Sequence, residues 1–465
     1  MRNKEFLFLV VLLVLAFGLR VYKLDSMEYR MDELNLIATS MDQTVSDSLM
    51  LRYSGKVLPL ASLPVPYLLF KVYIATFGSS EMATRFLSVV FGLVSILIFY
   101  KLMDKLASSR FVVFSAMCLF AINSSLIGVS RISRRYSLFI MLGLMSYYYF
   151  IRLFYFNDSS VSNKILFIIF SFLMVASGYF TLFIVLSQGL SLLFAKRCML
   201  LRWSLNILPV ATLLLPWGII ILTHFPTFLQ SGVSSLNWLP PPSYLFAMQA
   251  FPFLILGRYF TDWQMLVWNL FLFALLFLGI IKIRKTQRIL LGIPILVYTF
   301  IVLISPSRFF GVNLVNYDYL IVIIPFLIAL LSFGMAWNKR IGIFAFLLLF
   351  CLIPFSRHYS GNRQYSDLLE DIFEQEPDST VLFYPPYYNL YTYIYQPSHH
   401  IDSSYNLGLD SYKELICQGN SSWIILANPS KPNLRNATWF EGLCNNFTLK
   451  NYNNAQILHF IHNNP

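Results

Sequence analysis

Long apolar runs separated by short basic loops dominate the chain up to Phe355. The runs are Phe6–Tyr22, Met82–Met103, Phe111–Val129, Ser137–Phe156, Ile165–Ser177, Phe180–Ala195, Ser204–Leu222, Asp262–Ile283, Ile289–Ser305, Tyr319–Trp337 and Ile341–Phe355. At 1.5 Å per residue, a helix over the first run is about 25 Å long, close to the hydrocarbon thickness of a bilayer. The pattern predicts about eleven transmembrane helices, with Ile165–Ala195 also readable as one long helix. Gly18 to Tyr22 offers no small-residue cleavage site, so the first run is expected to stay as an anchor.

After Ser356 the pattern changes. The last stretch, about 110 residues, is rich in Asn, Ser, Tyr, Asp and Glu. "DLLEDIFEQ" (Asp367–Gln375) has the spacing of an amphipathic helix, while "STVLFYPPYYNLYTYIY" (Ser379–Tyr395) and "SSWIILANP" (Ser421–Pro429) begin as buried strands. The expected organisation is an α-helical polytopic membrane domain over 1–356, with a first outer loop at 23–81, followed by a small α/β extracytoplasmic domain over 357–465. No internal repeat is evident.

Composition agrees: 57% of residues are hydrophobic and 12% charged, and mean hydropathy is +0.64. The net charge of +12 gives no reason to invoke nucleic acid, because it sits mainly in loops. Basic residues stay on the cytoplasmic side. Arg2 and Lys4 place the N-terminus inside, and alternation then puts Lys101, Lys105, Arg110, Lys164, Lys196, Arg197, Arg202, Lys282 to Arg288, Lys339 and Arg340 inside as well. The C-terminal domain falls outside. Of the five cysteines, Cys417 and Cys444 share that exported tail, and a disulfide and two free thiols both stand open.

Three features of the outer side carry possible chemistry. Asp32 and Glu33 follow the anchor in "EYRMDELNLIA"; the plain reading is that Asp32 caps a helix starting at Glu33. Arg131, Arg134 and Arg135 in "SRISRRYSL" fall outside against the charge bias, where headgroup binding is the plain reading and a phosphate site the sharper one. Tyr136, Trp238 in "NWLPPPSYL" and Arg308 in "SPSRFFG" are either interfacial anchors or substrate contacts. "HFIH" (His459–His462) and His399–His400 are weak metal-ligand patterns. The sequence has neither a P-loop nor a GxGxxG.

Taken in order, several of these stretches resemble the GT-C class of membrane glycosyltransferases, particularly bacterial relatives of protein O-mannosyltransferases and of the aminoarabinose transferase that modifies lipid A. The resemblance rests on Asp32-Glu33, a Pro-rich helix start at Pro64 running to Phe77-Gly78, and "SSEMATRFLSVVFGL" at the second span. It rests also on the Arg-x-Tyr pattern of Arg134 and Tyr136, and on Trp238-Leu239-Pro240-Pro241-Pro242. Relatives often carry His where Ser62 and Gly178 stand, and sometimes an acid at Ile132; these departures leave a bound metal open, with Glu33 a possible ligand.

The resemblance implies a hexosyl- or pentosyltransferase that takes a sugar from a polyprenyl-phosphate donor, with inversion, to a glycan, lipid or protein acceptor at the outer face. No cofactor is required, and a divalent cation is possible. Asp32 would be the general base, assisted by Glu33. Arg134, then Arg131 and Arg135, would hold the leaving phosphate, with Arg308 as a second ligand and Tyr136 and Trp238 contacting phosphate or sugar. A lipid-linked sugar transporter or flippase is the rival from another class, weakened by spans nearly free of charge. A polysaccharide ligase or polymerase is a third reading, for which Thr223–Phe260 holds little His or Arg.

Overall fold

The computed structural model describes residues 3–41, 64–235, 244–257, 261–309, 320–352, 364–375, 377, 380–384, 421–426, 447–452 and 455–461. The chain forms two compact units, Met1–Leu24 with Gln43–Tyr359 and Asp25–Asp42 with Ser360–Pro465. In chain order the helices are α1 (Asn3–Val21), α2 (Met31–Met41), α3 (Pro64–Phe77), α4 (Glu81–Leu106), α5 (Arg110–Ile122), α6 (Ser124–Ser130), α7 (Tyr136–Phe154), α8 (Val161–Val175) and α9 (Leu182–Ala195). They continue as α10 (Leu200–Ser235), α11 (Tyr244–Leu256), α12 (Asp262–Lys282), α13 (Lys285–Phe309), α14 (Ile324–Met335), α15 (Lys339–Leu352) and α16 (Gln364–Gln375).

Among the described residues, four helices are long and apolar enough to cross a membrane, over Glu81–Leu106, Tyr136–Phe154, Arg197–Pro216 and Trp263–Lys282. The pair α5 and α6, bent by 48°, counts as a fifth if the two form one span. The run expected over Phe111–Val129 is thus two helices, and Asn123 stands at the break. Its Oδ1 accepts from the Leu126 N–H at 2.9 Å, capping α6. Its Nδ2 donates to the Leu254 and Ile255 carbonyls, both at 3.0 Å. The break is therefore stitched to the end of α11, a helix that the hydropathy pattern did not predict. Gly257 follows at φ +71°, in a place where a Cβ would strike the Ser124 side chain.

Ile165–Ala195 is two helices, α8 and α9, of 15 and 14 residues. Near mid-helix, Ser146 of α7 hydrogen-bonds Ser171 of α8 at 2.9 Å, and Gln188 of α9 donates to Ser146 at 3.0 Å. In lipid such side-chain bonds are what hold apolar helices in register. Packing of α12 on α14 instead uses absence of side chains. A Cβ on Gly334 would fall on the Leu275 carbonyl oxygen, and one on Gly279 on that of Leu330.

Hydrogen bonds between loops sort the helix ends of the first unit into two groups. At one end, Arg131 after α6 donates to the carbonyls of Arg20 (3.0 Å), Tyr22 (2.6 Å) and Lys23 (3.0 Å). Arg85 of α4 donates to Leu24 O at 3.0 Å, and Ser133 donates to Thr84 Oγ1 at 2.8 Å. The end of α1, the start of α4 and the "SRISRRYSL" loop are thereby joined. At the other end Arg110 pairs with Glu5 (3.2 Å) and Asp104 (3.0 Å). There too Gln287 hydrogen-bonds the Leu106 carbonyl, and Lys196 donates to Phe154 O at 3.1 Å.

In the second unit α16 buries Leu368, Leu369, Ile372 and Phe373 on one face. Four strands, β1 (Thr380–Tyr384), β2 (Ser421–Leu426), β3 (Phe447–Tyr452) and β4 (Ala455–Ile461), form a sheet of order β1-β2-β4-β3. β1 runs parallel to β2, while β2–β4 and β3–β4 are antiparallel. β3 and β4 were not expected. They take up the "HFIH" stretch, with His459 opposite Trp423 and Thr448 in register.

Two substitutions test the packing. Gly334→Ala drives a methyl into backbone and is expected to cost about 1–3 kcal/mol, read as a lower Tm in detergent. Arg131→Ala strips a charged donor from three carbonyls and is expected to cost roughly 3 kcal/mol or more, with Arg131→Lys recovering only part of it.

Candidate functional site

Asp32 and Glu33 lie in the first turn of α2, where carboxylates are favoured by the helix dipole. α2 begins at Met31, two residues earlier than the capping reading required, so Asp32 is not the cap. Glu33 takes that part. Its side chain is fully buried (0% exposed), and Oε2 accepts the Arg30 backbone N–H at 3.0 Å, the arrangement of a carboxylate three positions into a helix. Asp32 is solvent-exposed. The adjacent acids are thus separated by environment: Glu33 is buried and locks the helix start, while Asp32 is exposed.

The basic cluster is divided in a similar way. Arg131 is 6% exposed, and its guanidinium is committed to the C-terminal carbonyls of α1, groups that lack intrahelical partners. Lys23, at φ +51°, turns the chain so that its carbonyl joins that set. Any phosphate contact by Arg131 would have to be made alongside these three carbonyl bonds. Arg134 and Arg135 are half-buried and stand immediately before α7. Arg135, at the N-cap position, makes no side-chain cap hydrogen bond. The guanidinium of Arg134 lies 5.6 Å from the Tyr136 ring centroid and that of Arg135 lies 5.7 Å from Phe139.

Tyr136 is buried rather than a belt aromatic. Its ring meets Phe139 edge-on with centroids 6.2 Å apart. Phe139 in turn fills the space at Gly178, where a Cβ would fall 2.7 Å from Cε1 of that ring. A larger side chain at position 178 would have to displace that ring.

The structure joins Arg131, Arg134, Arg135 and Tyr136 in the first unit, and Asp32 and Glu33 in the second. Trp238 lies outside the described residues, as do the His399–His400 pair, Cys417 and Cys444. Arg308 belongs to α13, and only its backbone is described. Among the described residues, no three His, Cys, Asp or Glu side chains cluster as a metal site.

The hydropathy pattern missed Arg20 and Arg85, both almost fully buried, although a charge inside an apolar run is itself a signal. They correct the expectation of spans nearly free of charge. Arg85 donates to Leu24 O, and Arg20 to the carbonyls of Ala16 (3.1 Å) and Ala121 (3.0 Å). These are ties between helices, unlike the ion relays of transporters.

No family model and no curated protein matches the sequence. By fold, the chain is similar to the crystal structure of ArnT from Cupriavidus metallidurans in the apo state, at a TM-score of 0.64, 13% identity and 98% coverage of both chains. The same protein bound to undecaprenyl phosphate aligns at 0.63, with 13% identity over 99% of this chain and 98% of that one. An oligosaccharyltransferase from Archaeoglobus fulgidus in complex with Zn and sulfate aligns at 0.55 and 14% identity, over 91% of this chain and 68% of the other. The chain has the GT-C membrane fold of these structures.

Proposed function

We propose that the protein is an integral-membrane glycosyltransferase that moves a hexosyl or pentosyl group from a polyprenyl-phosphate donor to an acceptor hydroxyl at the outer face, with inversion. The observation that carries this reading is the division of labour in "SRISRRYSL". Arg131 is held by the clamp on α1, whereas Arg134 and Arg135 stand at the N-terminus of α7. Two guanidiniums beside a helix N-terminus suit a phosphate, since partial positive charge and fixed donors converge there. The fold supports the ligand class, as ArnT of the same fold has been crystallised with undecaprenyl phosphate.

The reaction needs few groups. Asp32 takes the proton of the acceptor hydroxyl, whose oxygen bonds to the anomeric carbon as the carbon–oxygen bond to phosphate breaks. The electron pair leaves with the polyprenyl phosphate, and Arg134 and Arg135 stabilise the charge that develops on it. Glu33 orients Asp32 by fixing the first turn of α2. Tyr136 holds Arg134 in place through its ring, Trp238 contacts the sugar, and Arg308 is a further phosphate ligand.

The same proposal includes eleven crossings, α1, α4, the broken pair α5–α6, α7, α8, α9, α10, α12, α13, α14 and α15. It places the N-terminus in the cytoplasm and residues 357–465 outside as an α/β domain. Support comes from the two sets of helix ends: the end with Glu5, Asp104, Arg110 and Lys196 gathers the basic loops, as the cytoplasmic side does. α3 leaves Leu68, Val72 and Phe77 exposed, the apolar face of a helix lying in the outer interface. Arg20 and Arg85 give no support to transport, because both donate to backbone carbonyls.

Purified protein offered a panel of polyprenyl-phosphate sugars and envelope acceptors is expected to transfer sugar from one of them. Asp32→Asn should lower that rate by about 100-fold or more at constant fold stability, and an unchanged rate removes the proposed base. Orientation is checked with single cysteines in a chain whose five native cysteines are replaced by serine. A cysteine at Thr448 should react with an impermeant maleimide on intact cells and one at Ser160 only after permeabilisation; the reverse pattern overturns the topology.

A further inference from the structure

The first unit holds a small, partly open pocket, mostly apolar but edged by an arginine and three serines, with no part in the proposed chemistry. It measures about 10 Å³ and is lined by Arg20, Gly92, Ser95, Ser130 and Ser137, with Phe120 and Ile140 on its apolar side. Ser137 is 1% exposed, and its hydroxyl has no hydrogen-bond partner in the protein. A buried hydroxyl left in that state is costly, and a cavity of this volume is about the size that one water occupies. Gly92 opens the space: a Cβ there would collide with Ser130 Oγ and lie 3.1 Å from Arg20 Nε.

We infer that one structural water is bound in this cavity, bridging α1, α4, α6 and α7 around the buried guanidinium of Arg20. The hydrogen bonds balance. Ser130 already gives its hydrogen to Leu126 O (2.7 Å) and Ser95 gives its own to Phe91 O (2.7 Å), so both oxygens remain acceptors. Arg20 has only donors, two of whose hydrogen bonds go to the Ala16 and Ala121 carbonyls, and Ser137 has a hydrogen to give. A water accepts from Arg20 and Ser137 and donates to Ser95 and Ser130, using all four of its bonding directions. The site selects a neutral, water-sized ligand by volume, and the bond between helices that it completes has no substitute in hydrocarbon.

An experimental map of the full chain in lipid nanodiscs, at a resolution that shows waters, should contain a peak within about 3.2 Å of both the Arg20 guanidinium and Ser137 Oγ. A cavity without density overturns the inference. Thermal unfolding gives a second reading whose sign differs between the two cases. With the water present, Ser137→Ala removes one of its partners and should lower Tm by about 2 °C. With a dry cavity the same change relieves an unsatisfied hydroxyl, so an unchanged or higher Tm also overturns the inference.

Discussion

One guanidinium holds one end of the helical unit together. Arg131 reaches from the loop after α6 to three carbonyls at the C-terminus of α1, and Arg85 takes the next carbonyl along the chain. These carbonyls lie at the end of α1 and in the turn just past it, where no intrahelical partner remains and lipid supplies no donors. Satisfying them with arginine fixes where α1 stops. It also fixes the loop that precedes α7, because Arg134, Arg135 and Tyr136 follow Arg131 with no slack and Ser133 is tied to Thr84.

The same logic of satisfied polar groups runs through the unit. Asn123 stands at the break between α5 and α6, where it caps α6 and bonds the end of α11. Ser146, Ser171 and Gln188 bond across three helices, and glycines on α12 and α14 let backbones meet where no side chain could fit. The buried guanidiniums of Arg20, Arg85 and Arg131 each reach backbone carbonyls. One end of this frame presents three arginines in two settings: Arg131 on the carbonyls that follow α1, and Arg134 with Arg135 at the N-terminus of α7. A parallel inequality separates Glu33, buried in its cap, from Asp32 at the surface of the other unit.

Much of this was legible in the sequence. Apolar runs marked the helices because lipid demands continuous hydrophobicity, and the misplaced arginines of "SRISRRYSL" marked a loop with a task. The sequence could not separate those arginines, since which of them meets carbonyls depends on where α1 ends, and that depends on the left-handed turn at Lys23. Capping by Glu33 instead of Asp32 shifted by one residue for a related reason: both acids suit a first turn, and only burial distinguishes them. Asn123 looked like one polar residue within a span. Its role depends on α11, which lies more than a hundred positions away along the chain. β3 and β4 escaped because alternating polar residues around His459 imitate a ligand pattern as well as a strand.

The central claim is that the α7 N-terminus with Arg134 and Arg135 binds a lipid-linked phosphate. Thermal unfolding of the purified protein across a titration of undecaprenyl phosphate tests it most directly, because a ligand that binds only the folded state stabilises it by about 2.7 kcal/mol at a hundred times its Kd. The account predicts a concentration-dependent rise in Tm for the wild type that is lost in the Arg134→Ala, Arg135→Ala double variant while its ligand-free Tm stays near the wild-type value. An equal rise in both proteins would contradict it.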